Sequence, residues 1–282
     1  MKDWFSIPII ILYASIIYLI ATLIYISILY RKKRVDVVIS RYNEDVSWIN
    51  TVPFTKLNCI CYNKGKGFDT KPFCKIINLE NVGRCDHTVL YHIINNYDNL
   101  ADTTIFLPGS CMDDHKKEVT QKLVAYALHK RSSTVLRGAL TNDVKNDFYD
   151  FSLNEWVATN VANKNMNNEA NLEPCSIRPF GKWYETEFPH LQQVQIKVMC
   201  YYGIFAVSKQ HIRQHPVEFY QRLISYVDKH SNPEAGHYME RAWGAIFYPY
   251  PESCVISDAD LLRSNFFYLL SQKLYCFFKT II

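Results

Sequence analysis

From Phe5 to Tyr30 the chain carries no acidic or basic side chain, and the run stops at Arg31-Lys32-Lys33-Arg34. As a helix it would reach roughly 39 Å at 1.5 Å per residue, more than the ~30 Å hydrocarbon core of a bilayer. The layout this imposes is residues 1–34 as a single transmembrane helix with its basic stop, followed by a tethered domain. Trp4 and Tyr30 bracket the run where amphipathic rings sit at headgroup level. A cleaved signal peptide fits less well, because Lys2 is offset by Asp3 and the positive cluster follows the apolar stretch.

The basic tetrad predicts a single-pass membrane protein whose main domain is cytoplasmic, with the lipid bilayer as its first partner. Nine scattered cysteines and the absence of any Asn-x-Ser/Thr sequon agree with that side of the membrane. The net charge of +4 equals the charge of residues 31–34. The remainder is close to neutral and offers no basic field, so no nucleic-acid partner is expected.

Beyond the anchor, apolar periodicity alternates between strand and helix. Strands are expected at Val35–Ser40, Leu57–Tyr62, Lys75–Leu79, Thr103–Leu107 and Val198–Ser208. Helices are expected at Asp86–Tyr97, with Asp86 as N-cap, and at Asp114–His129, Val217–Lys229 and Gly236–Phe247. Residues 141–176, rich in Asn and Asp, read as a long loop. The fold class is α/β, a mainly parallel sheet flanked by helices, because parallel neighbours need crossover connections. The globular domain spans 35–258, and 259–282, dominated by Leu and Phe with interspersed cations, reads as an amphipathic C-terminal helix.

Ligands of such sheets bind beyond the carboxyl ends of the strands. Arg41, Asn43 and Glu44 follow the first strand and fall on that rim, with a charged turn as the alternative. Gly83 and Arg84 precede a helix, where open N–H groups and a guanidinium suit a phosphate. His87 stands one turn further on. Asp113 and Asp114, with His115 beside them, offer hard oxygens for a divalent ion or else cap the next helix. Asp258-Ala259-Asp260 has a similar spacing but reads as a cap for the last helix. In Gly236–Trp243, His237 and Glu240 share a face beside the apolar stripe, which makes them candidates for proton transfer.

Taken together, Val37–Trp48, Asn81-Val82-Gly83-Arg84, Tyr91–Asp98, Thr104–Leu107 and Met239–Trp243 resemble the uncharacterised family called domain of unknown function 3431. The chain departs from it at Cys85, where the family usually has Glu after Gly-Arg, so the role of that acid is lost or passes to Asp86. Pro108 stands where the family usually has Gln. More distantly, Tyr42-Asn43-Glu44 after the first strand and Tyr202–Ser208 resemble A-type nucleotide-sugar glycosyltransferases. That resemblance implies a nucleotide-sugar donor, a divalent metal (Mn or Mg) at Asp113 and Asp114, donor contacts from Arg41, Asn43, Glu44, Gly83, Arg84 and His87, and an acceptor base at Glu240 near His237. The alternatives are a noncatalytic anchored interaction module and a hydrolase built on His87 or His115.

Overall fold

The structure is a computed structural model that describes residues 13–22, 33–68, 73–137, 140–155 and 171–256. The chain divides into two compact units, Met1–Arg34 and Val35–Ile282. In the first, residues 13–22 are helical with mostly exposed side chains. Among the described residues no helix is long and apolar enough to cross a membrane. The rest of the expected anchor, 1–12 and 23–32, lies outside the described residues, as do the expected C-terminal helix at 259–282 and the Asp258-Ala259-Asp260 triplet.

The second unit opens with β1 (Val35–Arg41), β2 (Asn58–Asn63), β3 (Lys75–Asn78), α1 (Arg84–Asn95), β4 (Thr103–Pro108) and α2 (Asp114–Lys130). It continues through β5 (Val135–Arg137), α3 (Phe180–Glu187), β6 (Val198–Met199), β7 (Phe205–Ser208), α4 (Val217–Ile224), α5 (Glu234–Ile246) and β8 (Val255–Ile256). The main sheet has the order β3-β2-β1-β4-β7; its first four strands are parallel and β7 runs antiparallel to β4. A smaller sheet has the order β6-β5-β8. The expected mainly parallel sheet flanked by helices is present.

The β-branched run of β1 makes sense once its two faces are followed. Val37 and Ile39 pack with Cys59, Ile105, Leu107 and, on α2, Leu123 and Ala127. Val38 turns the other way, toward Leu90 and Ile93 of α1 and Met239 and Trp243 of α5. Both faces are covered, so the run shows no apolar/polar alternation, and the buried Asp36 accepts from Asn58 Nδ2 at 3.0 Å. Each such aliphatic side chain contributes about 1.5–3 kcal/mol by leaving water, and β1 sits in mid-sheet as the scaffold of both layers.

Three expectations need correction. Val198–Ser208 is not one strand. Tyr202 and Gly203 take left-handed φ values of 62° and 68°, which turn the chain out of the small sheet at Met199 and into the large one at Phe205. Asp86 is not the N-cap of α1. Gly83 holds that place with φ 58°, Arg84 follows at φ 51°, and the helix therefore begins two residues earlier with Asp86 turned inward. The helix read as Val217–Lys229 ends at Ile224. The long polar loop holds one helical turn, Val144–Asp147, and residues 156–170 of it lie outside the described residues.

Candidate functional site

Strand order places β1 and β4 side by side while their chain connections leave in opposite directions, the arrangement that opens a crevice beyond the carboxyl ends. Five segments converge there. They are the turn after β1 with Glu44, the turn after β2 with Lys64, the start of α1, the start of α2 and the turn before β7. α5 closes the group from above the start of α1, where Asp86 Oδ1 accepts a 2.9 Å hydrogen bond from Trp243 Nε1.

Lys64 is a buried cation whose ammonium donates to the carbonyls of Val82, at 2.6 Å, and Arg84. Burial pulls its pKa down to about 7, against the charges of Cys85, Asp86 and Glu44, which raise it. Asp86 is 3 % exposed. Burial first, and the charge of Glu240 second, push its carboxyl up to about 7, while Trp243 and Arg84 work the other way. Glu240 is raised too, again by burial, with the Tyr202 N–H and the charges of Arg241, Arg84 and Lys116 opposing. The Cys85 thiol donates to Asp86 Oδ2 at 3.6 Å, and burial first, then the charges of Asp86 and Glu240, drive it well above its ordinary value. A cluster of mutually sensed charges, two of them carboxyls raised above their ordinary values by burial, is a pattern found where proton transfer is done.

The residues expected at the site behave differently from one another. Arg84 is at the cluster, with Nε bonded to Asn232 Oδ1 at 3.0 Å and its charge felt at Asp86, Glu240 and His237. Gly83 shapes the turn there; its N–H donates to His230 O at 2.8 Å. Glu44 is buried, accepts from the Tyr42 N–H at 2.6 Å, and its charge is felt at Lys64 and Cys111.

Arg41 and Asn43 do other work. The Arg41 guanidinium donates to the carbonyls of Glu44, Tyr42 and Lys66 and to Asn63 Oδ1, and lies 4.1 Å from the Phe68 ring. Asn43 Oδ1 accepts from the Lys66 N–H. Both side chains lock the tips of β1 and β2 together.

His87 and His237 are buried imidazoles whose pKa values fall to about 4 and about 3, chiefly by burial, with Lys64 acting on the first and Arg84 and Arg241 on the second. They are neutral at physiological pH. Among the described residues His87 Nδ1 has no hydrogen-bond partner.

Asp113 is the N-cap residue of α2 without a side-chain cap bond, and Asp114 is exposed in the first turn. Among the described residues no group of three or more His, Cys, Asp or Glu is placed to share a metal ion, so the two carboxylates alone make a thin ligand set for a cation that takes six or more oxygens.

Lys64 and Lys116 are cluster members with no signal of a site in the sequence. Lys116 is 8 % exposed, donates to Ser110 Oγ at 2.8 Å and acts on Glu240. Asp86 reads as a helix cap in the sequence. Its one other signal was its place after Cys85, where the acid usual in the resembled family is missing.

A family model described as "Protein of unknown function (DUF3431)" matches residues 37–260, from the second residue past the start of β1 to beyond β8. No curated protein matches the chain.

Proposed function

The chain belongs to the DUF3431 family of proteins of unknown function, and from that premise we propose that it is a membrane-tethered glycosyltransferase, moving a sugar from a nucleotide donor to an acceptor hydroxyl. The observation that carries the reading is the gathering of Arg84, Lys64 and Lys116 with Asp86 and Glu240 at the carboxyl rim of a β3-β2-β1-β4 sheet. Transfer to a hydroxyl needs two things there: cations that accept the charge of a departing diphosphate, and a carboxylate that takes the acceptor proton as its oxygen bonds to the anomeric carbon.

Arg84 and Lys116 supply the first. Glu240 supplies the second. Its Oε1 accepts the Tyr202 N–H, which leaves Oε2 as the oxygen assigned to the proton. Asp113 and Asp114 remain the pair that would hold a Mn or Mg ion. With no third ligand beside them among the described residues, charge neutralisation is assigned to the protein's own cations.

The test is a titration of the full-length chain in detergent with UDP, GDP and ADP, each with and without Mn²⁺ or Mg²⁺. Saturable binding of one diphosphate, weakened at least tenfold in Arg84→Ala, supports the reading. No binding of any of the three overturns it.

A second reading, a noncatalytic anchored module, is favoured by Arg41 and Asn43 being engaged in internal bonds. It predicts that Glu240→Gln leaves the cellular role intact while deletion of residues 1–34 abolishes it.

A further inference from the structure

One side chain at the rim has been placed at a conformational cost. Tyr202 takes φ 62° and ψ 8°, yet the residue is 41 % exposed. A non-glycine residue in the left-handed region costs about 1–2 kcal/mol, and burial of a large ring is the usual compensation. Here the compensation comes from neighbours that fix the backbone. Glu240, half-buried on α5, accepts the Tyr202 N–H. Gly203, itself at φ 68°, lets Cys85 come so close that a Cβ there would stand 2.9 Å from its sulfur.

The result throws the ring over the start of α2. There the His115 ring meets it edge-on at 5.5 Å and the Lys116 ammonium lies 5.4 Å from its centroid. Lys116 is in turn held by Ser110 Oγ. A ring held by helix, turn and cation, within one side chain of a carboxyl, is prearranged rather than incidental.

We propose that Tyr202 is a platform on which a pyranose ring of the acceptor lies, so that the acceptor is a carbohydrate. The electron-rich face of a tyrosine ring attracts the positive C–H edges of a sugar. A platform whose backbone is tied to Glu240 sets an acceptor hydroxyl beside that carboxyl. The inference rests on the glycosyl-transfer reading and names the acceptor class for it.

The experiment titrates the full-length chain in detergent with methyl glucoside, methyl galactoside and methyl mannoside, read by ligand-observed NMR, and in parallel with UDP, GDP and ADP. At least one glycoside saturates the wild type. Tyr202→Ala and Tyr202→Gly each weaken that binding tenfold or more, and Tyr202→Phe keeps it within threefold. Diphosphate affinity stays within twofold in all three variants. Tyr202→Gly needs no left-handed strain and keeps the unfolding midpoint of the wild type, so lost binding there is not lost folding.

Three results overturn the platform: no glycoside binds, the ring-less variants bind glycoside as the wild type does, or their loss falls on the diphosphate instead. A wild type that binds glycoside through Tyr202 but no diphosphate overturns the transfer reading alone and leaves the platform standing.

Discussion

Asp86 should make the protein less stable as pH rises, and the size of the effect follows from where its carboxyl sits. In the unfolded chain it titrates near 3.8; in the fold, burial and Glu240 hold it to about 7. The folded state therefore keeps a proton that the unfolded state releases. Below the unfolded value both states are protonated and nothing is lost. Between about pH 4 and pH 7 the stability falls, and above that the loss is complete, at about 4 kcal/mol for a difference of about three pH units.

Asp86→Asn cannot titrate, and its Oδ1 still accepts the Trp243 Nε1–H that Asp86 accepts at 2.9 Å. The variant should match the wild type at pH 4 and exceed it at pH 8 by a few kcal/mol. Urea unfolding of the full chain at pH 4, 6 and 8, followed by tryptophan emission, reads this directly. Glu240→Gln should move the fall to lower pH, since the Glu240 charge is part of what raises Asp86. Identical slopes for wild type and Asp86→Asn would refute the reasoning.

Other consequences are as direct. Glu234 is 0 % exposed, accepts from the N–H groups of Leu153 and Cys175 and from the Tyr238 hydroxyl, and forms an ion pair with Arg178, Nε to Oε2, at 2.9 Å. Glu234→Ala strands these donors and should cost about 3–5 kcal/mol, with proteolysis of the 141–176 loop rising first; a loss under 1 kcal/mol in urea titration would contradict it. At Gly83, φ is +58° and a Cβ would stand 2.0 Å from Val227 O. Gly83→Ala should cost about 2–5 kcal/mol through left-handed strain and crowding, and a thermal melt unchanged within 2 °C would count against it. Lys64→Met should weaken the grip on the turn that carries Arg84, lowering diphosphate affinity without unfolding the sheet; unchanged affinity by titration would show the turn holds itself.

Strands and helices with strong periodicity were legible within a residue or two, β1 most clearly because a run covered on both faces has no polar alternation. Tyr202 was not, since a left-handed turn at a tyrosine leaves no mark in hydropathy, and Val198–Ser208 reads as one strand. β5, α3 and β8 escaped because two- and three-residue strands and an eight-residue helix in an aromatic-rich stretch carry too little pattern. At the site, Arg84, Glu44 and Glu240 were readable from their places after strands or on a helix face. Arg41 looked equally suited to a ligand, and only the carbonyls around it show that its guanidinium is occupied in holding two strand tips. Lys64 and Lys116 were silent because a buried charge and a solvated one are spelled alike.

β1 enters the sheet at Val35 and reaches the rim only at Arg41, six residues and roughly 20 Å later. Val35 thus stands at the amino end of the sheet and the mouth lies at the carboxyl end. Tags, fusions or supports fixed through that leading end should leave access by large, chain-like molecules unobstructed, whereas attachments made near Asn43, Ser110 or Tyr202 should occlude it.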